Sequence, residues 1–285
     1  MNFPKVFIII LNYNGLSCVE TTLASVLRTE YQNLEIVLVD NNSQDGSFEL
    51  IRKKFSKITA IKNSENLGFS AGNNIGIEYA LERGADYVFL LNYDTKVEKK
   101  TIYSLVEAME KEKKVGVASP IIFKENVGDV WFSGGKINWL KMKSRQLTKM
   151  RDRNYYDNDY LSGCAMLIRT EVFRRAGLFD ERFFLYWEDA DFSIRAKKAG
   201  YRLAVYPKSR IYHFEKSQEN MNRKIYWLVI SGLIFFQKNT PILLKPWIFV
   251  YVKLRKIKNR WDVRKEKNLI NEAVQRAYQD FKYVK

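Results

Sequence analysis

Three carboxylates fall within four residues, at Glu188, Asp189 and Asp191, directly after the apolar aromatic run Phe183-Phe184-Leu185-Tyr186-Trp187. A helical pattern follows and stops at Gly200. Helix starts favour acidic side chains, because the unpaired N–H groups and the macrodipole make that end positive. The spacing therefore places all three acids on a first helical turn, at the rim of an aromatic wall. Carboxylates crowded in that position can supply a general base. For three acids taken alone, the ordinary alternative is an acidic helix start with Asp191 paired to Arg195 one turn later.

A second set of chemistry-bearing residues recurs along the first third of the chain: Asn12 and Asn14, Asp40 and Asn42, Asn66, then Asn92 and Asp94. Each cluster follows an apolar run, at Val6–Leu11, Leu34–Val39, Thr59–Ile61 and Tyr87–Leu91. Short continuous runs of this kind read as strands buried on both faces, as in parallel sheets. Helical patterns lie between them, ending near Arg28 and Phe55 and running from about Ala71 to Glu82. The alternation implies βαβ units and a mainly parallel sheet. Ligands of open α/β sheets bind outside the carboxyl ends of the strands. The clusters therefore converge on one sheet edge as a pocket rich in amides and carboxylates, although each alone is an ordinary turn former. No Gly-x-x-x-x-Gly-Lys loop and no Gly-x-Gly-x-x-Gly follows the first strand, which argues against an ATPase or a dinucleotide enzyme.

The remaining elements must hold the acids against that edge. The chain has 285 residues, enough for one large domain or a domain with an extension. The stretch from Pro120 to Tyr160 is less regular, with a strand and turn at Trp131 to Gly135 and a basic, polar loop at Lys141 to Arg153. A strand is expected over Leu161 to Ile168, a short helix over Glu171 to Ala176, and a last strand over Arg202 to Tyr206. Cys18 and Cys164 show no metal or disulfide spacing and suggest a reducing, cytoplasmic setting. The single histidine, His213, argues against a multi-histidine metal site. Val6–Leu11 is too short for a signal peptide core. Net charge is +16, and residues 208–285, with 18 Lys and Arg against 6 Asp and Glu, hold +12 of it. Two apolar segments in that tail, Ile225 to Phe236 and Ile242 to Leu254, are shorter than the roughly 20 residues of a spanning helix. With interspersed cations and Trp227, Trp247, Tyr251 and Trp261, they suit helices lying in an anionic membrane surface. Helices packed on the domain are the alternative, and nothing that reads bases points to nucleic acid.

Taken in order, these motifs resemble the family 2 inverting glycosyltransferases, in particular their rhamnosyltransferase-like branch. The resemblance rests on Asn12-Tyr13-Asn14-Gly15, Val39-Asp40-Asn41-Asn42-Ser43 with Asp45-Gly46-Ser47, and Glu65-Asn66-Leu67-Gly68-Phe69-Ser70-Ala71-Gly72-Asn73-Asn74. It continues through Leu90-Leu91-Asn92-Tyr93-Asp94-Thr95, Gly177-Leu178-Phe179-Asp180-Glu181, and Tyr186 to Asp191 with Arg195 and Gly200-Tyr201. Each motif alone is weak, and the ordered set over about residues 5–215 is strong. It implies a GT-A fold: a Rossmann-like α/β domain with a mainly parallel central sheet flanked by helices, here with a C-terminal helical extension. The implied organisation is a glycosyltransferase domain over 1–217, with a nucleotide-sugar half (1–95) and an acceptor and catalytic half (96–217), then a basic extension over 218–285. Asp40 is implied near the nucleotide base, and Asn12, Asn14, Asn42, Asn66, Gly72, Asn73 and Asn92 around the donor. The family's acidic metal motif maps onto Asn92-Tyr93-Asp94, with Asn where many members carry Asp, and its late histidine onto His213.

The implied chemistry agrees with the residues. Inverting glycosyl transfer needs a base on the acceptor hydroxyl, assigned to Asp189 with Asp191 as its rival, and charge relief on the departing diphosphate. A divalent ion held by Asp94 and His213 would give that relief. Oxygen ligands suit Mg²⁺ or Mn²⁺, and the histidine favours Mn²⁺. The expected enzyme moves a hexosyl or deoxyhexosyl group from a nucleotide-diphosphate sugar to a glycan or lipid-linked saccharide in cell-surface polysaccharide synthesis. It is expected in the cytoplasm, peripheral on the inner face of the membrane. The alternatives are a nucleotidyltransferase, which would want a basic Gly-rich phosphate loop near the N-terminus, and a non-catalytic module binding membrane or nucleic acid.

Overall fold

The structure is a computed structural model and describes residues 3–125, 128–154, 156, 158–214, 221–266 and 268–283. Four apolar strands, β1 (Val6–Asn12), β2 (Leu34–Asp40), β3 (Thr59–Lys62) and β4 (Tyr87–Asn92), lie parallel in the order β3-β2-β1-β4. The crossovers between them carry α1 (Val19–Val26), α2 (Ser47–Lys54) and α3 (Gly68–Glu82). Val6 to Ile10 and Val37 to Val39 are fully buried, as strands covered on both faces must be. The register aligns Asn12 with Asp40, and Leu11 with Asn92. The polar clusters do end at one level, on one edge.

Beyond β4 the sheet is mixed rather than parallel. β10 (Ala165–Arg169) pairs antiparallel with β4 and with β6 (Val115–Lys124). β11 (Arg202–His213) runs parallel to β6, and β5 (Thr95–Val97) closes the order antiparallel to β11. An apolar run shows that a strand is buried but not which way its neighbour runs, so pairing direction is a tertiary property.

The position of β5 shapes the whole sheet. Only Tyr93 and Asp94 separate β4 from β5. Three Cα steps reach about 11 Å at most. In a flat sheet, four strand spacings would set β5 about 19 Å from β4. The sheet therefore curls, and the end of β11 swings round to the end of β4.

Several expected elements shift. β11 extends past Tyr206 to His213 through an irregularity between Tyr206 and Arg210. α3 begins at Gly68 rather than Ala71, and the strand expected from Leu161 begins at Ala165. The loop expected from Lys141 contains β9 (Lys143–Gln146), which forms a hairpin with β8 (Gly135–Asn138). Two elements have no assignment from sequence, α4 (Thr101–Lys111) and most of β6; β7 (Val130–Phe132) flanks β6.

After β10 come α5 (Thr170–Ala176) and α6 (Glu188–Lys198), then, after β11, α7 (Met221–Asn239), α8 (Lys245–Lys265) and α9 (Leu269–Asp280). The domain boundary expected at 217/218 lies outside the described residues. The two readings of the tail divide between its helices. α7 is a packing element: Ile230, Ile234, Phe235 and Phe236 are buried against the domain. α8 presents Trp247, Phe249, Leu254 and Trp261 to solvent. Among the described residues, no helix is long and apolar enough to cross a membrane.

Candidate active site

At the carboxyl edge, Asn12 and Asp40 organise the loops rather than stand open to them. Both are fully buried. Asn12 Nδ2 donates to Asp40 Oδ1 (2.7 Å), Ser43 Oγ (3.1 Å) and Ser47 Oγ (2.9 Å). Ser43 donates to Asp40 through its hydroxyl (2.6 Å) and its amide (2.9 Å). Asn14 is exposed, with φ +51°, and accepts from the amide of Gln44. Asn42, with φ +60°, donates to the carbonyl of Ser64. Asn adopts this left-handed backbone more readily than most residues. Asn66 Oδ1 accepts from the amide of Gly68 (2.9 Å) and from Asn41 Nδ2 (3.2 Å). Asn73 is buried and donates to the carbonyl of Phe69. Gly72 serves packing: a Cβ there would stand 2.6 Å from Leu11 Cδ1 and 3.0 Å from the Asn41 amide, so any larger residue would have to displace them.

The curl of the sheet produces the second group. His213, last residue of β11, stands with Nε2 3.2 Å from Asp94 Oδ1. They are near but not aligned as a hydrogen bond. Asp94 Oδ1 and His213 Nδ1 are buried without a hydrogen-bond partner. The indole of Trp131 packs edge-on against the imidazole, with centroids 4.6 Å apart. An unbonded buried oxygen facing an imidazole nitrogen fits a shared cation. Two ligands about 2.1 Å from one ion and at right angles would stand about 3 Å apart. Among the described residues no third His, Cys, Asp or Glu joins them. An ion here would complete its shell with water and ligand oxygens, as Mg²⁺ and Mn²⁺ sites on phosphates do.

The three acids open α6 as expected, and the structure gives them different surroundings. Asp191 is fully buried and held by Arg195 Nε (2.8 Å), Lys238 Nζ (2.9 Å) and Asn239 Nδ2 (2.8 Å). Glu188 is 5% exposed, and its Oε2 has no partner. Burial, and then the charge of Asp189, push its carboxyl well above the ordinary range. Asp189 is partly exposed and accepts from the amides of Gly163 (3.1 Å) and Ala190 (2.7 Å). Burial raises its pKa from 3.8 to about 6, and those amides oppose the shift without cancelling it.

One turn links the two groups. The Asn92 amide donates to the carbonyl of Cys164 (3.0 Å), and the next residue back, Gly163, donates to Asp189. A Cβ on Gly163 would stand 3.0 Å from the Phe69 ring of α3 and 3.5 Å from Asp189 Cβ. The start of α3, the Asp94 strand end and the Asp189 helix therefore meet at Ser162-Gly163-Cys164. A separate polar depression, lined by Asp86, Tyr87, Glu110 and Arg169, lies at the start of β4. Its charges are spent on each other, since Glu110 accepts from both Tyr87 and Arg169, and it faces away from the acids.

The sequence profile of the family described as Glycosyl transferase family 2 matches residues 7–177. This chain belongs to that family. The match covers the parallel half, the Asp94 strand end and the linking turn, and α6 follows within eleven residues. Relatives by sequence include an N-acetylglucosaminyl-diphospho-decaprenol L-rhamnosyltransferase of Mycobacterium tuberculosis, 26% identical over 72% of this chain and 75% of that one. The dTDP-rhamnosyl transferase RfbF of Shigella flexneri is 24% identical over 84% and 83%. These relatives bear out the resemblance to the rhamnosyltransferase-like branch. Two solved structures share the fold. GalNAc-T7 with UDP, GalNAc and Mn²⁺ superposes with a TM-score of 0.69 at 17% identity, over 99% of this chain and 55% of that one. The mannosyltransferase PcManGT of Pyrobaculum calidifontis, in complex with GDP-Man and Mn²⁺, has a TM-score of 0.60 at 16% identity, over 100% and 77%. The glycosyltransferase is thus built on the expected GT-A fold.

In this glycosyltransferase several residues that sequence did not single out hold the site. Asn41 is buried and ties Asn63, Asn66 and Gly68 together. Ser43 is the hub of the Asn12–Asp40 network. Helix α7 supports the acids: Trp187, just before Glu188, packs against Phe235 and Phe236 and donates to the carbonyl of Leu228. The adjacent carbonyl of Leu185 accepts from Ser231 Oγ. Tyr186 and Trp187 both take φ +69°, a backbone that costs ordinary side chains of order 1–3 kcal/mol each. A polar cluster after an apolar run signals Asn41 and Ser43, but nothing local signals the α7 partners, which lie about 40 residues on.

Proposed function

We propose that this enzyme transfers a hexosyl or deoxyhexosyl group, with inversion, from a nucleotide-diphosphate sugar to a lipid-linked saccharide in cell-surface polysaccharide synthesis. The observation that carries this reading is the placement of Asp189 and Asp94 on either side of one turn. Asp189 is the base. It is partly open to solvent, anchored by two amides, and poised near neutral pH, so that it is ionised yet basic enough to take the proton of an acceptor hydroxyl. The buried ion pairs of Asp191, which occupy both of its oxygens, favour Asp189 over it. Burial and the charge of Asp189 push the Glu188 carboxyl up, so Glu188 ionises less readily than an ordinary carboxylate.

On the other side, Asp94 and His213 would hold a divalent cation, Mn²⁺ or Mg²⁺. Bound there, such an ion supplies positive charge to the departing diphosphate. Both solved neighbours contain Mn²⁺ together with a nucleotide or nucleotide sugar, which supports the assignment. The loops at 12–15, 40–47 and 63–73 form the donor side, within the half spanning 1–95. Asp40 and Asn12 act there by fixing the loop that faces the nucleotide, and Asn14, Asn42, Asn66 and Asn92 stand closer to its surface. The relatives named for rhamnosyl transfer favour a deoxyhexose donor, and the M. tuberculosis relative, named for a diphospho-decaprenol substrate, favours a polyprenyl-diphosphate acceptor. The basic residues after 207 favour peripheral attachment to the inner face of the membrane.

A panel of UDP-, dTDP- and GDP-sugars with Mn²⁺ tests the reading by thermal unfolding. A ligand that binds only the folded chain raises its midpoint, by an amount that grows with concentration over Kd. One nucleotide class should stabilise, and chelation should reverse the effect. No shift with any nucleotide sugar removes the proposal.

A further inference from the structure

Helix α8 carries an unpartnered apolar stripe. Its packed side holds Ile248, Val252 and Asn259, where Asn259 donates to the carbonyl of Asn271 in α9. On the opposite side Trp247, Val250, Leu254, Ile257 and Trp261 are all exposed, by 43% to 71%. Their steps of three and four residues confine them to about 80° of the helix circumference at 100° per residue. Lys253, Arg260 and Arg264 line one flank of the stripe, and Lys258 and Lys265 the other. Lys258 is paired with Asp262 at 2.7 Å.

The stripe continues onto a second segment, 107 residues earlier in the chain. Trp247 Nε1 donates to the carbonyl of Leu140 (2.9 Å), and the hydroxyl of Tyr251 to that of Lys141 (3.3 Å). These carbonyls belong to the turn of the β8–β9 hairpin. The turn presents Leu140, 56% exposed, with Lys141, Lys143 and Arg145 around it. Just before α8, Ile242 and Leu243 are 78% and 89% exposed.

We propose that the hairpin turn and the α8 stripe form one surface that seats in the headgroup layer of an anionic bilayer. Steps of three and four are also the seam of a coiled coil, so a second copy of the chain is the competing occupant. Charge decides between them. Both flanks of the stripe are net cationic, the second because Lys265 remains beside the Lys258–Asp262 pair, so self-pairing in either direction sets an excess of Lys and Arg against its like. An anionic leaflet attracts both flanks at once. Exposed Trp residues at both ends of the stripe suit the same interface.

The surface lies one aromatic layer from the catalytic helix. Trp139, beside Leu140, stacks on Phe235 at 5.8 Å, and Phe235 packs on Trp187 at 4.7 Å, next to Glu188. A saccharide held at a bilayer by its lipid would thus be presented to Asp189. This last point rests on the glycosyltransferase reading, whereas the surface itself does not.

Sedimentation of the full chain with vesicles tests the proposal, using phosphatidylcholine alone and phosphatidylcholine with phosphatidylglycerol. Binding should require phosphatidylglycerol and weaken in high salt. Leu254→Ser with Trp261→Ser should lower the partition about 100-fold, roughly tenfold for each buried apolar side chain. Leu140→Ser should lower it about tenfold. Lys253→Gln and Arg260→Gln should each cost about fivefold. No binding to anionic vesicles at low salt overturns the proposal. So does wild-type binding by Leu140→Ser, which would take the hairpin out of the surface. A concentration-dependent dimer, lost in the Leu254→Ser, Trp261→Ser variant, would instead assign the stripe to a second copy. In every variant the unfolding midpoint should still respond to nucleotide diphosphates and Mn²⁺. Loss of that response in the parent chain would defeat the glycosyltransferase reading and leave the vesicle result standing.

Discussion

Two neighbouring aspartates on α6 illustrate how far surroundings outweigh residue type. Asp191 is fully buried with three charged or amide partners; Asp189 is only partly buried and accepts from two backbone amides. Asp189→Asn should therefore lower turnover by about 10²–10⁴-fold, the usual scale of general base catalysis, while donor binding persists. Steady-state rates beside nucleotide-induced midpoint shifts check this. An active Asp189→Asn enzyme, with Asp191→Asn dead at an unchanged midpoint, would reverse the assignment. The pKa near 6 adds a pH signature. The base must be ionised, so kcat/KM should rise with pH and level off above about 6, as a property of the coupled Glu188–Asp189 pair. Stability runs the opposite way. The folded chain holds the Asp189 proton more tightly than the unfolded chain, whose value is near 3.8. Its contribution is full below 3.8 and is lost as pH rises through about 6. Asp189→Asn should flatten both profiles. At the other pole, Asp94→Ala should weaken Mn²⁺-dependent stabilisation by nucleotide diphosphate, and His213→Ala should weaken it less. A Mn²⁺ titration of the unfolding midpoint reads both, and undiminished stabilisation in Asp94→Ala would take that carboxylate out of the cation site.

Among elements, α7 has the role least expected of a tail. It places Lys238 between Asp180 (2.6 Å) and Asp191 (2.9 Å), and its aromatic residues hold the left-handed backbone at Tyr186-Trp187. Asp180 is held below the ordinary carboxylate range despite its partial burial, with Arg182 and Lys238 as its partners. Lys238→Met leaves the fully buried Asp191 short of a cation. It should cost about 2 kcal/mol or more of stability, measurable by denaturant unfolding. A change within 0.5 kcal/mol would show that Arg195 and Asn239 suffice. Cutting the chain near Gln218, which lies outside the described residues, would remove α7 together with α8. Such a truncation should lose nucleotide-dependent stabilisation as well as vesicle binding, so point variants on α8 are the cleaner probe of the membrane.

For the whole molecule, the decisive feature is the curl that brings β11 to β4. It is what makes Asp94 and His213, 119 residues apart, neighbours. Stability should be distributed accordingly. Amides of β1, β2, β4 and β10, whose side chains are almost all buried, should exchange hydrogen only with global unfolding. Those of α8, exposed along one side, should exchange through local opening and slow on addition of anionic vesicles. Equal protection of α8 and β1 without lipid would mean that α8 is part of the cooperative core.

The parallel half of the fold and the polar clusters at its carboxyl edge were legible in the sequence because their cause is local. Apolar runs bury strands on both faces, and polar turn formers at their ends necessarily share one edge once the strands are parallel. The three acids at the start of α6 were legible for the same reason, since helix starts select them. Pairing direction beyond β4, the hairpin at 135–146 and the union of Leu140 with Trp247 were not, because each depends on segments meeting across long stretches of chain. Resemblance named Asp94 and His213 as partners; the two-residue link between β4 and β5 supplies the physical reason they meet. The choice between Asp189 and Asp191 was likewise tertiary. Sequence placed both on one turn with Arg195 in reach, and only the packing of α7 buried one carboxylate among cations and left the other partly exposed.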